Sequence, residues 1–148
     1  MNPNVKLSEK VAILATLDPA SVAASTVVTA FVPMANVMQL SALIQTGVLG
    51  ASATVDAKLR QATDAAGTGV KDITGKAITQ IVKASGDNKQ AFIELHGADL
   101  DVNNGFAFVA LSVTVGTAAS QVSASLIGSV PRFAPASTLN QAGVVQIV

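Results

Sequence analysis

Thr54-Val55-Asp56-Ala57-Lys58-Leu59-Arg60 changes character at every residue. In an extended chain Val55, Ala57 and Leu59 fall on one side and Thr54, Asp56, Lys58 and Arg60 on the other, a period of two that belongs to a strand and not to a helix. Sliding this segment by one residue would bury three charges, so its facing is strongly specified. Residues 106–115 (FAFVALSVTV) repeat the pattern with bulkier side chains, placing Ala107, Val109, Leu111, Val113 and Val115 on one face.

The neighbouring segments extend the reading. Residues 90–96 form a strand with Ile93 and Leu95 inward. Residues 36–46 alternate Met38, Leu40, Ala42 and Ile44 against Gln39, Ser41 and Gln45. Residues 121–127 form the last strand, ended by Pro131. Residues 26–32 are rich in Val and Thr and stop at Pro33, as strands do. Residues 11–17 alternate (Val11, Ile13, Ala15, Leu17) and permit a strand, while Ser8 and Glu9 before them also permit a short helix. Asp18-Pro19 is expected as a turn, residues 64–69 as a glycine loop, residues 85–88 as a turn and residues 98–105 as an irregular connection. Ile73, Ile78, Ile81 and Val82 fit either a helical turn or a strand. The sum is seven or eight strands, mostly antiparallel, without regular intervening helices. That count points to an all-β fold, a β-sandwich or barrel, with at most one or two short helical turns. The expected organisation is a polar arm over residues 1–10, one β-domain over 11–131 and an extended C-terminal arm over 132–148.

Composition narrows the function classes. The apolar half of the 148 residues is mainly Ala, Val, Leu and Ile, because there are five Phe and neither Trp nor Tyr. Such side chains suit close-packed sheets better than ligand pockets, which recruit aromatic walls. Charged residues make up 12%, about half the ~25% of an ordinary domain. A folded monomer of this mass exposes roughly 7,000 Å², of which eighteen charged side chains would cover only about a quarter. Nine basic residues balance nine acidic ones, which disfavours a nucleic-acid partner and leaves a free monomer without net charge to keep it dispersed. The surface is therefore expected to be covered by copies of the chain itself or by a larger assembly. No apolar run approaches the ~18–20 residues of a membrane span. The polar start, Met1 to Lys10, lacks the apolar segment of a signal peptide, so synthesis in the cytoplasm without classical export is expected.

Local motifs do not complete a chemical site. Asp99-Leu100-Asp101-Val102-Asn103-Asn104-Gly105 resembles the start of a calcium loop, but its glycine arrives one place late and Ala110 stands where the bidentate Glu belongs. Gly75-Lys76 suggests a phosphate loop, yet Val70 replaces the first glycine and Ala77 the magnesium-binding hydroxyl. Gly50-Ala51-Ser52-Ala53-Thr54 lacks the second glycine of a nucleophile elbow. His96 is the sole histidine and there is no cysteine, so a conventional zinc site has too few ligands. His96 shares a strand face with Glu94 and Phe92, where an exposed position is the expectation. No catalytic residue, cofactor or metal is expected, and the chain is read as non-enzymatic. The uncharged end is more telling: after Arg132 there is no charge, and the chain closes Val144-Val145-Gln146-Ile147-Val148. Arg132, Phe133, Val144, Val145, Ile147 and Val148 are the candidate assembly interface.

Residues 52–81 (SATVDAKLRQATDAAGTGVKDITGKAITQI) resemble small virion structural proteins of tailed bacteriophages. So, in the same order, do residues 100–106 (LDVNNGF), 113–120 (VTVGTAAS) and 131–137 (PRFAPAS). The resemblance spans roughly residues 11–148 and includes no catalytic motif. It implies a jelly-roll-like sandwich acting as a head-decoration or cement protein on the capsid surface. Its implied partners are further copies of itself, as dimer or trimer, and the major capsid protein. A tail or neck component is the alternative within a virion. A receptor- or carbohydrate-binding β-sandwich is the alternative outside that class, and the absence of Trp and Tyr for stacking on sugar rings counts against it.

Overall fold

The computed structural model describes residues 4–139 and 141–148. One helical turn, α1 (Leu7–Lys10), leads into β1 (Val11–Val22), β2 (Thr26–Val28), β3 (Val32–Pro33), β4 (Val37–Thr46), β5 (Thr54–Ala62), β6 (Lys71–Ala77) and β7 (Ile81–Val82). A second turn, α2 (Lys83–Gly86), precedes β8 (Gln90–His96), β9 (Phe108–Gly116) and β10 (Ser120–Pro131). Short 3₁₀ turns fill several connections.

All pairings are antiparallel. One sheet runs β1-β10-β4-β8; the other runs β2-β9-β5-β6, with β3 also on β9 and β7 also on β5. Taking β2/β3 and β6/β7 as two interrupted lines leaves eight lines. Their order is 1-8-3-6 in one sheet and 2-7-4-5 in the other, so neighbours in sequence lie in opposite sheets except at lines 4 and 5. That is the two-Greek-key wiring of a jelly roll, and the fold is an antiparallel β-sandwich of this type.

The core lies between the sheets. Leu40, Ile44, Leu95 and Leu126 from one sheet meet Val55, Leu59, Val109, Leu111, Val113 and Val115 from the other, all essentially inaccessible. β5 faces as its sequence demands, with Val55, Ala57 and Leu59 buried and Asp56, Lys58 and Arg60 half-exposed. β8 does likewise, with Ile93 and Leu95 in and Phe92, Glu94 and His96 out.

Several boundaries differ from the sequence expectation. Asp18 and Pro19 are not a turn; they lie inside β1, at a register shift between Leu17 and Ala20. β1 is an edge strand paired only with β10, so a proline without an N–H is tolerated at its bulge. Residues 26–32 are not one strand. At Thr29 the side-chain oxygen replaces a backbone partner, accepting the Leu111 N–H at 3.0 Å, and the line breaks into β2 and β3. Met38 is half-exposed while Val37 is buried at that end of β4, where Gly128 on β10, lacking a side chain, leaves room for Val37. Ile73 and Ile81 lie in strands, whereas Ile78 falls between them. Residues 83–86 form a helical turn, so the turn expected at residues 85–88 begins inside α2.

Candidate assembly surface

Charge is segregated between the two sheets. The outward side chains of β5 and β6 form a network in which Asp72 accepts from Lys58 Nζ at 2.7 Å and from Arg60 Nε at 3.1 Å. Lys76 pairs with Asp99 at 3.0 Å, Lys71 with Asp101, and Lys83 with Asp87 at 2.6 Å. Lys71 also sits over the Phe106 ring, 4.0 Å from its centre. Every one of these pairs belongs to the six-stranded sheet or to the connections around it. Lys58 holds the Asp72 carboxyl below its ordinary range. Lys71 does the same for Asp101, Lys83 for Asp87, and the His96 N–H followed by Lys76 for Asp99. Such exposed pairs contribute little individually; together they keep this flank charged and hydrated.

The outer face of the four-stranded sheet is built differently. Its cross-strand rows, from β1 to β8, read Val11-Ser129-Gln39-His96, Ile13-Ile127-Ser41-Glu94 and Thr16-Ser125-Leu43-Phe92, followed by Ser123-Gln45-Gln90 without a β1 member. Glu94 is the only Asp, Glu, Lys or Arg in these rows. Asp18 stands at the rim on the β1 bulge, bonded to the Thr16 hydroxyl at 3.1 Å. Phe92 is 62% exposed and Ile13 42%, with Leu43 and Ile127 half-buried between them. Of these polar positions, the sequence pattern sets apart only Gln39, Ser41 and Gln45, opposite the apolar side chains of β4. The available signal was that β4 and β10 carry no charge at all, while β5 carries three.

The residues expected to form the interface are not gathered in one place. Val144 and Ile147 come back to the start of the sandwich, where with Ser8, Val11, Ala12, Ile13 and Ser137 they line a shallow groove of about 190 Å³. Arg132 lies elsewhere, beside Met38, Gln39, His96 and Val130, its N–H donated to the Asn36 carbonyl at 2.9 Å. Phe133 is 74% exposed, and Val145 and Val148 are fully so. The groove is smaller than the ~300–1,000 Å³ of small-molecule pockets and contains no ionisable side chain. A larger depression over Pro19, Ser21, Gln45 and Gln121, about 430 Å³, also has none.

The acidic loops around Asp64 and Asp101 hold themselves together. Asp64 Oδ1 accepts the Ala66 and Thr68 N–H groups, each at 3.0 Å, and Oδ2 accepts the Thr68 hydroxyl at 2.6 Å. That hydroxyl is the main reason its carboxyl titrates below the ordinary range. Asp101 accepts from Asn104 and Lys71, so its oxygens are engaged by protein donors. Among the described residues no group of three or more His, Cys, Asp or Glu is placed to share a metal ion, and no helix is long and apolar enough to cross a membrane.

No protein-family model and no curated protein matches the sequence. Among solved structures, the chain is similar to the SPBc2 prophage-derived protein YomS, at 12% identity over 84% of this chain and 100% of that one, with a TM-score of 0.47. It is similar to a chain of the disulfide-linked pili of Bacillus endospore appendages at 13% identity, covering 88% and 99% with a TM-score of 0.38. A chain of Broad Bean Stain Virus aligns at 12% identity, covering 72% and 57% with a TM-score of 0.41. The jelly-roll assignment rests on the strand order, not on these overlaps.

Proposed function

We propose that this protein is a non-enzymatic structural component of a tailed-phage virion, a decoration or cement protein seated on the outer capsid surface. The observation that carries the reading is the segregation of charge: one flank holds the ion pairs named above, while the cross-strand rows of the opposite sheet face include Glu94 alone of the Asp, Glu, Lys and Arg side chains. A surface of that kind is disfavoured on a free monomer and suited to being covered, since interface centres are depleted of charge and rims are polar. The sequence resemblance over residues 11–148 supplies the virion context. The partners in this reading are further copies of the chain and the major capsid protein, and neither a cofactor nor nucleic acid takes part.

Cryo-electron microscopy of the source particle tests it. The expected result is one jelly roll repeated over the shell exterior, with its charged six-stranded flank toward solvent. Density in a tail tube or neck ring would favour the tail reading instead, and absence from purified particles would remove the virion role altogether.

A further inference from the structure

We infer that the outer face of the four-stranded sheet is a self-association surface that packs against the same face of a second copy. The inference deepens the assembly reading above by assigning the partner of this face. Three observations carry it. The first is self-complementary chemistry: Ser41, Ser125 and Gln39 each carry both a donor and an acceptor, so the face can meet its own image without like charges opposing at its centre. The second is distribution, with half-buried Leu43 and Ile127 in the middle rows and Asp18 at the edge, the charge-poor centre and polar rim of an interface. The third is area. Four strands about 4.8 Å apart and about ten residues long at ~3.3 Å each give roughly 600 Å² before side-chain relief is counted. That approaches the ~800 Å² per partner of a standard interface. Serine is not by itself an interface-preferring residue; here it keeps the face flat enough for two sheets to approach.

The absence of cysteine from the chain makes the test clean. Full-length protein should sediment at twice 14.8 kDa at micromolar concentration. The double variant Leu43→Glu/Ser125→Glu should sediment as a monomer with an unchanged circular dichroism spectrum. Thr74→Glu, on the exposed side of β6, should remain dimeric. If the double variant misfolds, the near-isosteric Ser125→Cys decides. Its maleimide labelling should slow at least tenfold between dilute and concentrated protein, while Thr74→Cys labels equally fast at both. A wild type that is monomeric at all concentrations, or a Ser125→Cys thiol whose labelling does not change with concentration, overturns the inference. Protection of that thiol only on particles would assign the face to capsid protein and also overturn it. The virion reading fails separately, by loss of wild-type binding to particles.

Discussion

Thr46 closes β4 with its side chain inside the protein, only 5% exposed. Its hydroxyl donates to the Gly86 carbonyl at 2.6 Å and accepts the Lys89 N–H at 3.1 Å, fastening α2 and the approach to β8 onto the sheet. Thr46→Val keeps the shape and leaves both backbone groups short of a partner, at a cost of about 1–3 kcal/mol; Thr46→Ser should lose much less. Urea denaturation of the pair measures this, and equal midpoints for wild type and Thr46→Val would contradict it. The carboxylates give a second residue-level expectation. Asp64, Asp72, Asp87, Asp99 and Asp101 all titrate below the ordinary 3.8. As pH falls toward that value the unfolded chain takes up protons that the folded chain still refuses. Their contribution is therefore complete above the unfolded value and is lost as pH drops through the folded ones. Stability should fall below about pH 4, modestly because these groups are exposed. Asp72→Asn should flatten the decline in melting temperature, and a melting temperature constant down to pH 2 would be the wrong outcome.

At the scale of elements, position in the sheet sets the energetic weight of each strand. Leu111 is fully buried at the centre of β9, which pairs with β5 on one side and with β2 and β3 on the other. Leu111→Ala should cost about 2–5 kcal/mol. Val28, 42% exposed on the interrupted edge line, should cost less than about 1 kcal/mol on the same change; comparable losses at the two sites would refute the ranking by chemical denaturation. The same distinction explains what the sequence made legible. β5, β8 and β9 were readable because one face of each is buried against the other sheet, so alternation survives in the residue types. β1 was obscured by Pro19, since the licence for a proline comes from being at the edge, and edge position is a property of the whole sheet order. The break at Thr29 depends on a hydrogen bond to Leu111, 82 residues away. The charge-poor face is not legible in any single strand; it exists only when β10 is set between β1 and β4.

For the whole molecule, the C-terminal segment is the apolar surface that the fold covers least. The chain exposes 8065 Å², more than the roughly 7,000 Å² of a compact monomer of its mass, and an uncharged tail accounts for part of the surplus. Val144 and Ile147 lie against the chain's own first strand, which leaves Val145, Val148 and half of Ile147 for a neighbour. Covering them contributes about 4–5 kcal/mol gross, reduced by the cost of ordering the last residues. Along an exposed strand of a neighbouring subunit, the segment would also gain main-chain hydrogen bonds by strand addition. We expect deletion of residues 140–148 to leave the sandwich folded, because every strand and the buried Ala136 precede the cut. The circular dichroism spectrum should be unchanged, while retention on particles or in oligomers after dilution should weaken at least tenfold. Retention equal to that of the full chain would remove the tail from assembly and leave that role to the sheet face.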